Sequence, residues 1–188
     1  DSCRHEWEGR GLAADLDGLL AAAAAIERPA GLVYPDHPRF FNPKSMTAEL
    51  QSALAETGQK VPEDPARLTR VVLDSLALRY ASIVRSIEEL TGEGVPGIHI
   101  VGGGSLNEYL DQATADAAQR PVLAGPAEAT ATGNLLMQAF AAGRIRSLAE
   151  GRERLAAGPF RPRRYEPRQR PGWREAGERY REIEGRYQ

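Results

Sequence analysis

The sequence has one cysteine, two lysines and no long apolar run among its 188 residues. Because Cys3 cannot form an internal disulfide, the composition favours a reducing, cytoplasmic setting. No stretch approaches the roughly 20 apolar residues that cross a bilayer, so we expect no membrane partner. The net charge of −2 gives no overall attraction to nucleic acid, and none is expected as a partner.

The first residues lack the signals that normally open a chain or a helix. The segment from Asp1 to Trp7 has no initiator Met and no capping box, although its charged residues around Trp7 resemble a helix interior. We therefore expect that a segment upstream of Asp1 has been removed.

Apolar periodicity and chain-breaking residues predict a mostly helical chain with two short strands. We predict helices over residues 12–26, 45–57 (capped by Ser45 or Thr47), 64–90, 105–118, 128–142 and 147–157, and strands over 97–101 and 121–124. The first strand is predicted to be buried, and the helix over 128–142 to pack tightly through its small residues. Because two parallel strands make a poor sheet alone, the pattern indicates that sheet partners are missing.

The composition changes at Gly158 to Arg and Pro, and then to alternating Arg and Glu. We predict an Arg/Pro-rich strap over residues 160–173 and a solvated terminal helix over 174–187. The chain is accordingly divided into two units, residues 1–157 and 158–188. An arginine-rich tail can bind nucleic acid, but the interspersed glutamates argue against that role here.

The segment Ile98 to Asn107, IHIVGGGSLN, carries the clearest chemical signal. Glycine lets a backbone approach a ligand closely, and the free N–H groups at a helix start favour a polar or anionic group. A flat group such as adenine can lie on glycines, and Asn107, one turn into the predicted helix, offers a donor and an acceptor. The predicted ligand site comprises Gly102, Gly103, Gly104, Ser105 and Asn107.

Two familiar phosphate-binding turns fit this segment poorly. A P-loop ends in Lys followed by Ser or Thr, and the only lysines are Lys44 and Lys60. A Rossmann-type turn requires G-x-G-x-x-G; Gly102 and Gly104 match, but Asn107 takes the third position. A dinucleotide-binding fragment of an oxidoreductase stays a weaker alternative.

Residues 98–143 resemble the adenosine-motif region of the FGGY family of carbohydrate kinases, through the motifs GGGSLN, TADA, RPVLAGP and EATATGN in that order. The resemblance covers about residues 3–165 and is strongest to the rhamnulokinase subgroup, through the segments 35–46 and 74–92. It implies a helix-rich α/β fold, namely the C-terminal part of an actin-like, ribonuclease H-like ATPase domain with one βαβ unit and a largely missing sheet.

The same resemblance implies ATP- and Mg²⁺-dependent phosphorylation of a ketose, L-rhamnulose at its 1-hydroxyl. It implies that Gly103 and Asn107 contact the nucleotide, that Gly102, Gly104 and Ser105 shape the pocket, and that residues 127–133 pack behind it. The expected partners are ATP or ADP, a small sugar and the N-terminal kinase domain of the same protein.

The family's phosphate-binding loop and its base Asp are absent from this sequence, and the base Asp is expected upstream. The resemblance therefore assigns no catalytic residue and no metal ligand to the chain. The chain alone is expected to be inactive, and a non-catalytic remnant of the family is a further alternative.

Other residues that could suggest chemistry have simpler interpretations. The sequence Asp15 to Gly18 mimics a phosphatase motif but is predicted to be helical, and Cys3 has no base nearby in sequence. The three histidines lack metal-ligand spacing, and His99 is predicted to lie on a sheet face. Asp111 and Asp116 are predicted to form salt bridges or helix caps.

Overall fold

The computed structural model describes residues 2–12, 15–158 and 161–187. Its α-helices are α1 (Ser2–Gly9), α2 (Leu16–Ala24), α3 (Met46–Glu56), α4 (Pro65–Thr91), α5 (Glu108–Ala118), α6 (Ala129–Ala141), α7 (Leu148–Ala157) and α8 (Trp173–Glu184). The strands are β1 (Ile98–Ile100), β2 (Val122–Ala124) and β3 (Arg163–Tyr165), and short 3₁₀ turns span Pro38–Phe40 and Gly102–Leu106. The predictions for Asp1, for residues 13–14 of the first predicted helix and for Phe160 concern positions outside the described residues.

The long helix α4 is the centre of the structure and confirms the prediction over residues 64–90. The Asp64 carboxylate accepts hydrogen bonds from the N–H groups of Ala66 and Arg67, which fixes the start of the helix. Gly92 ends it in the left-handed conformation, with a φ of 69°. Helices α2, α5 and α8 all contact α4.

Two further helices begin at side-chain caps, of which the sequence predicted only the one at Ser45 or Thr47. The Ser45 hydroxyl accepts a hydrogen bond from the N–H of Ala48 at 3.2 Å, so Ser45 rather than Thr47 caps α3. Asp15 accepts from the N–H of Gly18 at 2.7 Å at the start of α2. The phosphatase-like sequence is therefore a capped helix start.

Within the described residues, the sheet has three strands in the order β1-β2-β3, one more than predicted. Strands β1 and β2 are parallel, with Ile98 opposite Val122, as expected for one βαβ unit. Strand β3 pairs antiparallel with β2, with Tyr165 opposite Val122. The prediction of a strap without a strand is wrong, because pairing with β2 makes residues 163–165 extended.

Strand β1 is not buried, which corrects the prediction for residues 97–101. It lies at an edge of the sheet, its two isoleucines are half-buried, and His99 is exposed on one face. The His99 ring nitrogen Nε2 lies 2.6 Å from the carbonyl oxygen of Gly125. The β-branched residues thus form a strand here, but no neighbouring element of the described chain packs over it closely enough to bury it.

The terminal helix α8 is part of the core, so the prediction of a solvated helix over 174–187 is wrong. Its buried residues Trp173, Ala176, Tyr180 and Ile183 form one apolar stripe, and Tyr180 is 0% exposed. The charged residues between them obscure the stripe in the sequence.

The C-terminal segment is joined to the rest by the sheet, by the core and by polar contacts. Glu184 accepts hydrogen bonds from the hydroxyl of Ser82 at 2.7 Å and from Arg79 Nη1 at 2.7 Å. The two sides of the proposed division between residues 157 and 158 thus share one sheet and one core, and the division itself stays a prediction.

Helix α6 was predicted to pack tightly, and this prediction is wrong. None of its described residues is buried, and the helix it chiefly packs against is α7. Small side chains allow another helix to pack closely against α6, but they do not ensure that such a helix is present.

A buried ion pair connects α4 to α2 and α5. Arg70 Nε lies 2.8 Å from an Asp74 oxygen, and both side chains are 0% exposed. Arg70 Nη1 also donates to the backbone carbonyls of Ala23 and Ile26, and the Tyr109 hydroxyl donates to Asp74. Burial raises the pKa of Asp74, and the Arg70 charge opposes that shift.

Asp111 on α5 is buried without such a partner. It is 0% exposed, and neither carboxylate oxygen has a hydrogen-bond partner in the described parts of the chain. Burial raises the pKa of Asp111 to about 7. The prediction of a salt bridge or cap is therefore wrong for Asp111. It is confirmed for Asp116, whose Oδ2 forms a salt bridge with Arg170 Nε at 3.7 Å.

We predict that Asp74→Asn lowers the free energy of unfolding by about 3–5 kcal/mol, because it leaves the Arg70 charge buried and unpaired. The control Asp36→Asn breaks the ion pair with Arg79, in which Asp36 is 51% exposed, and should cost about 1 kcal/mol or less. Urea unfolding followed by circular dichroism measures both losses. Equal losses would contradict a special role for the buried pair.

We predict that Asp111→Asn removes a pH-dependent penalty on stability. The unfolded carboxyl ionises near pH 3.9 but the folded one near pH 7, so the unfolded state loses its proton first. The free energy of unfolding should fall, relative to the variant, by on the order of 3 kcal/mol between about pH 4 and pH 7. Unfolding curves across this range test it, with Asp17→Asn on the exposed face of α2 as the control. Parallel pH profiles for wild type and Asp111→Asn would refute it.

Candidate functional site

The three consecutive glycines lie in a 3₁₀ turn that is held against the segment following β2. The N–H of Gly102 donates to the carbonyl of Pro126 at 3.1 Å, and the N–H of Gly125 donates to the carbonyl of Ile100 at 2.8 Å. These two reciprocal bonds join the carboxyl ends of the parallel strands β1 and β2. The turn is therefore positioned by the sheet and not by the glycines alone.

The three glycines have different physical reasons to be glycine. Gly102 has a φ of 75°, which L-residues with a side chain rarely adopt. A Cβ on Gly104 would lie 3.5 Å from Ile100 Cγ2, an ordinary contact, whereas a Cβ on Gly103 would meet nothing within 4 Å. The exposed surface at Gly103 is thus open, and the fold does not require glycine there.

Ser105 closes the turn, because its hydroxyl donates to the carbonyl of Gly102 at 2.7 Å. The N–H of Asn107 donates to the carbonyl of Gly104 at 3.0 Å and completes it. All five predicted site residues therefore belong to one turn or to the residue that follows it.

Asn107 lies before the helix and not one turn inside it, which corrects the prediction for residues 105–118. Helix α5 begins at Glu108, and Asn107 Oδ1 caps it by accepting from the N–H of Leu110 at 3.1 Å. The Asn107 amide nitrogen donates no hydrogen bond within the described chain, so both of its N–H groups can serve a ligand.

A cavity of about 370 Å³ opens beside the turn. It is lined by Ser105 and Leu106 of the turn, by Glu108 at the start of α5, by the segment 124–127 after β2, and by Arg161 and Arg163. Asn107 instead lines a separate cavity of about 210 Å³ bounded by α1, α2 and α4. The structure therefore brings the predicted residues to one turn but not into one cavity.

Arg161 and Arg163 are cavity residues that the sequence reasoning missed. They were assigned to a strap, and the only signal for their position was the short run that becomes β3. Arg163 forms an ion pair with Glu108, whereas Arg161 has no ion pair within the described residues. A free guanidinium at the cavity favours an anionic ligand.

Other kinds of site have little support in the described residues. They contain no group of three or more His, Cys, Asp or Glu side chains placed to hold a metal ion. Burial raises the pKa of the Cys3 thiol, which lowers its thiolate fraction and its nucleophilicity. Among the described helices, none has both the length and the apolar character of a membrane-crossing segment.

Residues 1–142 match the family model described as FGGY family of carbohydrate kinases, C-terminal domain. A rhamnulokinase of Pectobacterium carotovorum subsp. carotovorum (strain PC1) is 44% identical over 154 residues, which cover 82% of this chain and 31% of that protein. A rhamnulokinase of Pectobacterium atrosepticum (strain SCRI 1043) is 42% identical over the same shares of both chains. The chain thus spans about a third of the length of these curated relatives.

Solved structures of sugar kinases share the fold. The crystal structure of xylulose kinase from Rhodospirillum rubrum has a TM-score of 0.55 and 20% identity, covering 98% of this chain and 36% of that one. A structure described as a xyloylose kinase from Brucella ovis has a TM-score of 0.56 and 19% identity, covering 99% and 36%. The predicted helix-rich α/β fold of the actin-like ATPase type is confirmed, and the dinucleotide-binding alternative falls away. The chain belongs to the FGGY family of carbohydrate kinases.

Proposed function

We propose that the chain supplies the adenosine-binding part of a cytoplasmic, ATP-dependent kinase that converts L-rhamnulose to L-rhamnulose 1-phosphate. The two rhamnulokinase relatives support the sugar, and the glycine turn supports the nucleotide. Because the chain spans 31% of those relatives, phosphoryl transfer is proposed for the whole protein and not for this chain alone.

The observation that carries the nucleotide assignment is the open surface at Gly103. Backbone geometry explains the glycine at 102, but no neighbouring atom within 4 Å explains the glycine at 103. A ligand lying flat on the turn does explain it, because a Cβ would stand where the ligand rests. Adenine is such a flat group.

Asn107 directly follows the turn in the chain, and its side chain lines the separate cavity bounded by α1, α2 and α4. The Asn107 oxygen is committed to capping Leu110, which leaves the amide nitrogen to donate to the nucleotide. Ser105 holds the turn closed and reaches the neighbouring cavity, where the uncompensated charge of Arg161 suits an anionic group. In this proposal Gly102 and Gly104 shape the turn without contacting the ligand.

The remaining machinery of the proposed kinase lies in an N-terminal domain that contains the phosphate-binding loop, the base Asp and most sugar contacts. Bound ATP supplies the phosphoryl group that is transferred. The described residues hold no ligand cluster for Mg²⁺, so the metal is assigned to the nucleotide phosphates and to that other domain. This chain's own residues bind and orient the adenosine end.

We predict that Gly103→Val weakens binding of ADP and ATP by about tenfold or more, since its side chain occupies the ligand surface. Its stability should stay unchanged, because a Cβ at this position meets nothing within 4 Å. Gly94→Val is the matched control, since its Cβ also meets open space and it lies before β1. Isothermal titration calorimetry with each nucleotide measures the affinities.

Three results would refute the nucleotide assignment. They are unchanged nucleotide affinity in Gly103→Val, equal loss in Gly94→Val, and binding of NAD(H) without binding of ADP or ATP. The last result would assign a ligand other than ATP or ADP to the turn.

A pair of substitutions at Asn107 separates its capping role from its proposed binding role. Asn107→Ala should lower the free energy of unfolding by about 1 kcal/mol, because the cap is lost. Asn107→Asp should keep that stability, since a carboxylate at the start of α5 still accepts from Leu110. Both variants should lose nucleotide affinity, because both lack the amide donor. Nucleotide affinity that is kept in Asn107→Asp would restrict this residue to capping.

A further inference from the structure

A cavity of about 470 Å³ lies at the opposite end of α5 from the glycine turn. It is bounded by α4, by the end of α5, by residues 168–170 of the segment that follows β3, and by α8. Because α5 has 11 residues, about 16 Å separate its two ends. The cavity is therefore distinct from the proposed nucleotide surface.

The lining of this cavity is strongly basic. Among the described residues that line it, Asp116 is the one acidic side chain, whereas five are arginines, namely Arg85, Arg168, Arg170, Arg174 and Arg181. The net positive charge is thus concentrated in a concave site, although the whole chain has a net charge of −2. Concave walls of one sign focus the field and attract a counter-ion.

The single carboxylate of the cavity is already engaged. Asp116 Oδ1 accepts from the N–H of Arg168 at 2.8 Å and from Gln112 Nε2 at 2.7 Å. Its other oxygen, Oδ2, lies 3.7 Å from Arg170 Nε. Asp116 therefore serves to hold the segment 168–170 against α5, and its single negative charge can offset only one of the five guanidinium charges.

Most of the guanidinium groups have no acidic partner. Four of the five arginines form no ion pair with the residues that the structure describes, namely Arg85, Arg168, Arg174 and Arg181. The Nη1 atom of Arg170 is buried and donates no hydrogen bond within that same part of the chain. Buried donors of a charged group are normally paired, so this atom has capacity for a further acceptor.

Helix α8 shapes the cavity through the spacing of its residues. Arg174, Gly177 and Arg181 follow one another at intervals of three and four residues and so share one face. The absence of a side chain at Gly177 leaves space between the two arginines, and a Cβ there would approach Leu78 Cδ2 only to 4.0 Å. Trp173 and Leu78 form an apolar wall beside the charges.

We propose that this cavity binds a small phosphate-bearing molecule. The planar fork of a guanidinium matches the oxygens of phosphate with two parallel hydrogen bonds, and several arginines suit a group with more than one negative charge. The apolar wall of Trp173 and Leu78 can contact the carbon part of such a molecule. A long polyanion fits less well, since Glu175, Glu178 and Glu182 lie along the same helix.

Inorganic phosphate and pyrophosphate are the probes, titrated into the 188-residue chain by calorimetry and followed by tryptophan fluorescence. Trp173 lines the cavity, and the only other tryptophan is Trp7 in α1. We expect saturable binding of pyrophosphate, tighter than that of phosphate, with a change in Trp173 emission that persists in Trp7→Phe.

The double variant Arg174→Gln/Arg181→Gln should weaken pyrophosphate binding by about tenfold or more, because two charge-assisted contacts are lost. The control Arg144→Gln/Arg152→Gln removes the same charge at exposed positions near and within α7 and should change affinity less than about twofold. Arg168→Gln gives an independent second test, since its side chain has no ion pair to lose in the described structure.

Four outcomes would overturn the proposal. They are the absence of pyrophosphate binding, equal weakening in the two double variants, loss of binding in Gly103→Val, and tighter binding of a 20-nucleotide single-stranded DNA than of pyrophosphate. The third would move the phosphate to the glycine turn, and the fourth would indicate a nucleic-acid interface. Pyrophosphate binding that survives in Gly103→Val would leave this proposal standing even if adenine does not bind to the turn.

Discussion

The buried pair of Arg70 and Asp74 is the constraint on which the rest of the structure depends. Two charges buried away from water need each other and further hydrogen-bond partners. Here those partners are the carbonyl groups at the end of α2 and the Tyr109 hydroxyl of α5. The guanidinium carbons of Arg70 and Arg170 lie 4.5 and 5.7 Å from the Tyr109 ring centroid. One polar centre therefore sets the positions of α2, α4, α5 and the segment before α8.

Helix α5 connects this polar centre to both proposed sites. Its first turn is capped by Asn107, which adjoins the glycine surface, and its last turn contains Asp116, which holds the arginine-lined segment. Since Tyr109 and its neighbours are buried, the two ends keep a fixed separation. A rigid helix between two ligand surfaces is the arrangement that precise positioning of functional groups requires.

The sequence predicts those parts of the fold that depend on local signals. The start of α3 at Ser45 or Thr47, the period of α4 and the glycine run after β1 each depend on residues close together in the sequence, and they were correctly placed. The errors have a different cause, because β3 and the burial of α8 depend on partners distant in sequence. The glycine turn could be found from the sequence alone, but the capping role of Asn107 could not, since it follows from where α5 begins.

The edge position of β1 and the exposure of α6 bear on how copies of the chain associate. Strand β1 presents hydrogen-bonding groups along an open edge, and Leu135, Met137 and Phe140 of α6 are 65%, 52% and 44% exposed. Unpaired strand edges and exposed apolar side chains both promote association between copies. In the isolated chain, association between copies is therefore expected at these two surfaces, independently of how stably each molecule is folded.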